Sequence, residues 1–123
     1  MEEDKITEKI LGFAFQIHTE LGPGLLESAY EECLLYELTR NGFSVERQKE
    51  IPLVYKEIKH EHGYRADLIV ENKVIIEIKS IEAIHDVHVA QMLTYLRLTM
   101  CHIGLLINFN VKSLKDGIRR FIL

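Results

Sequence analysis

"RADLIVENKVIIEIKS", residues 65–80, carries three charges through the most hydrophobic part of the chain. Asp67 sits inside one apolar run and Glu77 and Lys79 inside the next, with Glu71-Asn72-Lys73 as a polar break between them. Two such runs joined by so short a break predict two adjacent strands. Their near-continuous hydrophobicity predicts a sheet covered on both faces. If residues 71–73 form a three-residue loop, Val70 pairs with Val74 and Asp67 falls opposite Glu77, the β-carbons about 5 Å apart. Alternation along the strand then places Glu77 and Lys79 on one face.

A buried charge costs several kcal/mol unless it is paired or holds a metal. Both resolutions are open at this point. A divalent cation would relieve two facing carboxylates. Magnesium takes oxygen ligands, often one or two carboxylates with several retained waters, and a neighbouring lysine can orient water or offset developing negative charge. That chemistry hydrolyses phosphodiesters. The alternative is a structural ion-pair cluster of Asp67, Glu77 and Lys79.

On the amino-terminal side, Ile6, Ile10, Phe13, Ala14, Ile17 and Leu21 form the stripe of an amphipathic helix that "LGPG" (21–24) stops. A second helix is expected from about Leu25 to Arg40, ended by Asn41-Gly42. Glu27 shares its stripe with Tyr30, Leu34 and Leu38, so it can point inward, although a first-turn carboxylate also suits the helix dipole. From Phe43 the period becomes two, through Val45, Ile51, Leu53 and Tyr55, with Pro52 predicting an edge or a break.

Beyond Lys79, Asp86 to Thr99 returns to helical spacing. Gln91 and Tyr95 stand one turn apart there, with His88 on the same stripe, either as a local hydrogen-bonded pair or as part of a site. "HIGLLINF" (102–109) reads as a buried strand and "GIRRFIL" (117–123) as a short edge strand. The expected order is α, α, β, β, β, α, β, β, a mixed sheet flanked by helices.

The 123 residues, 47% hydrophobic and 28% charged with 2 Pro and 7 Gly, predict one globular domain rather than a disordered or fibrous chain. The acidic start "MEEDKITEKI" and the lack of a long apolar run predict a cytoplasmic protein with no membrane partner. Cys33 and Cys101, far apart in apolar contexts, read as buried thiols, and two cysteines are too few for an iron–sulfur cluster. A net charge of −4 argues against gripping nucleic acid by bulk electrostatics. Lys112, Lys115, Arg119 and Arg120, and Arg40, Arg47 and Lys49, read as solvated faces. His60 and His62 in "HEH" suit zinc or iron on one strand face, but no third ligand stands at suitable spacing and the polar surroundings favour a solvated turn.

Taken in order, the helical Glu27, Asp67, Glu77-Ile78-Lys79 and Gln91-Met92-Leu93-Thr94-Tyr95 resemble the PD-(D/E)xK nuclease superfamily in its RecB-like branch. Gly24-Leu25-Leu26-Glu27-Ser28-Ala29-Tyr30 is similar to the signature of the small GxxExxY proteins. Gly63 precedes Asp67 by one residue more than the GxxD of that branch. The resemblance spans nearly the whole chain. It implies a restriction-endonuclease-like αβββαβ core with an extra amino-terminal helix. It also implies metal ligation by Asp67, Glu77 and the Ile78 carbonyl, with Glu27 binding directly or through water. Lys79 would activate the water, and Gln91 with Tyr95 would position it or the phosphate. The implied cofactor is Mg2+ or Mn2+ and the implied partner a nucleic acid, DNA in preference to RNA. So small a domain would grip a duplex best as a homodimer. A catalytically silent nuclease-like module that binds nucleic acid or protein is the alternative.

Overall fold

The computed structural model describes residues 2–61 and 63–123. Its elements in chain order are α1 (Glu2–Leu21), α2 (Glu27–Arg40), β1 (Val45–Glu50), β2 (Leu53–Tyr55), β3 (Ile58–His60), β4 (Arg65–Val70), β5 (Val74–Lys79), α3 (Asp86–Thr99), β6 (Ile103–Asn108) and β7 (Ile118–Ile122). The first turn of α1 holds Glu2, Glu3 and Asp4, which complement the helix dipole. Its stripe of Ile6, Ile10, Ala14 and Ile17 is buried. Leu21, expected on that stripe, is exposed at the last position of the helix.

Gly22 and Gly24 both take positive φ, +72° and +97°, which non-glycine residues resist, so the chain turns sharply between the helices. The turn delays α2 to Glu27 instead of Leu25. Gly42, at φ +88°, ends α2 as expected.

Five strands form one mixed sheet in the order β1-β4-β5-β6-β7. Only β5 and β6 are parallel, joined by the crossover through α3, and the other neighbours are antiparallel. The β4/β5 register pairs Val70 with Val74, as the three-residue loop requires. Helices α1 and α2 cover one face, packing Ile10, Tyr30, Leu34 and Leu38 against Leu68, Val70, Ile76, Ile78 and Leu105. On the other face α3 packs Met92, Tyr95 and Leu96 against Ile69, Ile75 and Leu106. Gly104 of β6 lies under Met92, where a β-carbon would collide with the thioether. The result is an α/β fold with the αβββαβ core α2-β1-β4-β5-α3-β6, preceded by α1.

The alternating segment from Phe43 to Tyr55 does not run as one strand. It breaks at Ile51-Pro52, between edge strand β1 and a separate two-stranded sheet, β2 with β3. β3 falls in the polar stretch read as a turn. It exists because Lys56 adopts a left-handed φ of +53° and folds Ile58 back against Tyr55, in strands too short and too exposed to show apolar alternation. β7 is the opposite edge strand, as expected. Among the described residues no helix is long and apolar enough to cross a membrane. Cys33 and Cys101 are free thiols; Cys101 is buried as expected, whereas Cys33 is only half-buried.

Candidate active site

The ladder between β4 and β5 runs from Val70↔Val74 to Leu68↔Ile76, and beyond it side chains replace backbone acceptors. The Asp67 amide donates to Glu77 Oε2 at 2.7 Å, and the Ile78 amide donates to Asp67 Oδ2 at 2.8 Å. Glu77 is buried and Asp67 half-buried. Burial pushes the Glu77 carboxyl up to about 8, helped by the Asp67 charge and opposed by the Asp67 amide and Lys79. Burial also raises Asp67, with the Ile78 amide working against it and the Glu31 charge adding to it. In the metal-free chain near neutral pH the pair therefore keeps a proton on Glu77.

Across β4 lies a residue that sequence reading passed over. β1 pairs Arg47 with Leu68 and Lys49 with Ala66, leaving Gln48 opposite Asp67. Gln48 adopts φ +50° inside a strand, a conformation that costs a residue with a β-carbon roughly 1–3 kcal/mol. Its Nε2 donates to Asp67 Oδ1 at 3.2 Å and to Glu31 Oε1 at 2.9 Å. Arg47 Nε donates to Glu31 Oε2 at 2.7 Å. In a regular strand Arg47 and Gln48 would point to opposite faces, so the left-handed step is what brings both to one carboxylate. β4 answers the distortion: Leu68 and Val70 pack under α2, while Ala66 joins Ile69 under α3, so the alternation slips at Asp67.

Glu31 is buried on α2, one turn after Glu27. Its i+4 spacing from Glu27 is the signal that would have marked it. Glu27 itself is exposed at the rim, and its Oε2 accepts from the Ser80 amide at 3.2 Å. It is positioned by Tyr30, whose buried ring stacks on Phe109 at 4.3 Å. The Tyr30 hydroxyl donates to the Gly22 carbonyl at 2.5 Å and accepts from the Leu25 amide at 3.1 Å. The loop in front of Glu27 is thus tied to the core. Ser80 Oγ adds a bond to the Leu25 carbonyl at 2.6 Å.

Lys79 ends β5, half-buried, opposite Asn108 in the parallel register. The Phe109 amide donates to its carbonyl at 2.9 Å. Buried Asn108 then fastens the next residues, accepting from the Ile81 amide at 3.1 Å and donating to the Ile81 carbonyl at 3.0 Å. The Lys79 charge opposes the raised pKa of both Asp67 and Glu77. From α3, buried Tyr95 approaches the same pair: burial and the Glu77 charge raise its phenol, while a backbone hydrogen bond from Arg65 opposes them. Gln91 is half-buried one turn earlier and makes no side-chain hydrogen bond among the described residues.

His85 and His88 cap α3 reciprocally, the His85 amide donating to His88 Nδ1 at 2.9 Å. His88 is lowered by burial and by the Lys79 and His85 charges. His60 lies edge-on to Tyr64, while His62 lies outside the described residues.

The structure therefore gathers Asp67, Glu77, Ile78, Lys79 and Tyr95, and leaves Glu27 beside Ser80. Among the described residues no three His, Cys, Asp or Glu side chains already form a metal cluster. The donor set of two adjacent carboxylates nonetheless fits a hard divalent cation, which needs few protein oxygens when it keeps its waters. Glu77, held protonated by burial near neutral pH, would exchange that proton for such a cation.

With this geometry in view, the sequence profile of the PD-(D/E)XK nuclease superfamily matches residues 4–121, and the chain belongs to that superfamily. Nucleases of this superfamily generally act with divalent metals on nucleic acid. A solved structure titled "Crystal structure of SSO0001" is 20% identical, with a TM-score of 0.44, and the match covers 88% of this chain. The chain spans 59% of that structure's length. A search of curated proteins gives no match.

Proposed function

We propose that this chain is a Mg2+- or Mn2+-dependent nuclease of the RecB-like, GxxExxY type. The observation that carries the reading is the interlocked Asp67–Glu77 pair, with Glu77 raised to about 8 beside Lys79. Such a perturbed pair of carboxylates at the end of two strands is how a site stores demand for a cation. Asp67, Glu77 and the Ile78 carbonyl would hold the metal, and Glu27, at the rim, would bind it directly or through water. A bound divalent cation supplies Lewis-acid charge and a water of lowered pKa.

The chain's own residues do the rest. Glu77 releases its proton on loading. Lys79 places positive charge where the phosphate gathers negative charge and orients the attacking water. Gln91 and Tyr95, on the helix above, position that water or the phosphate. The substrate is a nucleic acid, DNA ahead of RNA.

A second reading is supported by the exposed placement of Glu27 and the absence of a three-ligand cluster among the described residues. In that reading the domain binds nucleic acid or protein without cutting. One assay separates the two. The purified protein is incubated with magnesium or manganese and labelled linear, circular, single-stranded and double-stranded substrates, beside Lys79→Ala. Cleavage lost in Lys79→Ala supports the nuclease. Cleavage undiminished in that variant marks a contaminant, and no cleavage under any condition supports the silent module.

A further inference from the structure

Gln48 stands out because nothing in the strand needs its conformation. The register pairs residues on either side of it normally, yet Gln48 alone in β1 takes a left-handed φ, +50°. It is neither a glycine nor at a turn. Strain of this kind persists where the surroundings over-determine it, and it clusters at functional sites. Here the surroundings are two carboxylates. The Gln48 amide spans Asp67 Oδ1 and Glu31 Oε1, at 3.2 and 2.9 Å.

The second oxygen of Asp67 is already fixed by the Ile78 amide at 2.8 Å. Asp67 is therefore held at both ends, by a backbone donor from β5 and a side-chain donor from β1. Arg47 completes the arrangement by holding the far oxygen of Glu31, so the Glu31 carboxylate cannot swing away from Gln48. Gln48 also lines a groove of about 580 Å³ along the open edge of β1, with Arg47, Lys49 and Pro52 among its walls. Of the groove's lining residues it is the one that bonds Asp67.

We propose that Gln48 is a positioning residue of the site: its left-handed backbone turns the side-chain amide onto Asp67, fixing the carboxylate orientation in which Asp67 ligates the cation. Glu31 is the anchor for that amide rather than a ligand. This inference rests on the metal-site reading above. Partners that orient a ligating carboxylate typically govern metal affinity by 10–100-fold. A residue serving the strand alone would carry no such effect.

Gln48→Gly tests it, because glycine accepts the left-handed backbone and removes the side chain with its amide, while Gln48→Asn keeps a side-chain amide and only shortens its reach. Three quantities are read on the full chain: melting of the metal-free protein, hydrogen exchange of the Ile78 amide relative to Ile76, and Mn2+ affinity by calorimetry. The expected result is a variant that melts no lower than wild type. Its Ile78 amide exchanges about tenfold faster as Asp67 loosens, and it binds Mn2+ roughly 10–100-fold more weakly. Gln48→Asn, which tolerates the same backbone but is one methylene short, should reproduce the exchange and affinity changes should the glycine variant fail to fold. Unchanged Ile78 exchange in the folded variants overturns the proposal, as does unchanged Mn2+ affinity. Should wild type take up no Mn2+, the metal reading falls, and with it the ligand role of Asp67 that Gln48 is proposed to serve. Faster Ile78 exchange would then show only that Gln48 orders Asp67.

Discussion

Asp67 and Glu77 hold each other's strands: the Asp67 amide donates to the Glu77 carboxylate, and the amide following Glu77 donates to the Asp67 carboxylate. The two acids are thereby part of the sheet's hydrogen bonding as well as a candidate metal site. Neutral amides keep an oxygen acceptor in each place, so isosteric substitution separates charge from architecture.

The pH dependence of stability follows from Glu77, whose folded pKa of about 8 lies above its ordinary 4.5. The folded chain binds this proton more tightly than the unfolded one. Its contribution is fully present below about pH 4.5 and is lost as pH rises through 8. At about 1.4 kcal/mol per pKa unit, the loss amounts to several kcal/mol. Urea titrations of metal-free protein should show this decline, and Glu77→Gln should flatten it. Parallel wild-type and variant curves between pH 5 and 9 would contradict the buried, protonated Glu77.

Near pH 8, Asp67→Asn and Glu77→Gln should leave the metal-free protein as stable as wild type or more so, since each removes carboxylate repulsion. An ion pair with Lys79 predicts the opposite sign, a loss of roughly 3–5 kcal/mol if buried. Thermal melts decide between them.

Metal at about ten times its dissociation constant should add roughly 1.4 kcal/mol to wild type, a melting shift of a few degrees. Asp67→Asn and Glu77→Gln should lose most of that shift. Equal shifts in all three proteins would remove the metal from this site.

Tyr30→Phe keeps the ring stack on Phe109 and deletes the hydroxyl that ties Gly22 and Leu25. A loss of roughly 1–3 kcal/mol is expected, because the partners are left unpaired in a half-buried place. Tyr36→Phe, on the exposed side of α2, is the comparison and should cost little. Denaturant midpoints that move equally would show that the hydroxyl is not what holds the loop.

Gln91→Ala should retain wild-type stability, consistent with the absence of a hydrogen-bond partner for this side chain among the described residues, and should lose most cleavage activity. A variant that unfolds, with activity per folded molecule unchanged, would make Gln91 structural.

The sheet and its helices were legible because their signals are local. The apolar runs around Asp67 and Glu77, the glycine stops and the three-residue loop each act within a few residues. The Val70–Val74 register follows from them. The β2/β3 pair was not legible, since Val54, Tyr55 and Ile58 are all exposed and leave no burial pattern in the sequence. Within the site, the acids and Lys79 could be read from charge in an apolar setting. Gln48 and Asn108 could not, because an amide on a strand looks alike whether it faces water, a carboxylate 19 residues away as Gln48 does, or a backbone segment 27 residues away as Asn108 does. Glu31 carried one local signal, its i+4 spacing from Glu27, but its partners Arg47 and Gln48 come from another element and left no trace in the sequence.

The β4/β5 hairpin joins residues only a few positions apart around one tight loop, whereas α3, the crossover to β6, packs on these strands from further along the chain. Local contacts close first during folding. In that order of events the acids are expected to meet while still solvated, each free to stay ionised, with the proton drawn in once α3 docks and excludes water. Folding of this chain near neutral pH is then a proton-uptake reaction whose uptake belongs to the docking step. A pH indicator in a stopped-flow experiment should register it with the late phase, after the hairpin has formed.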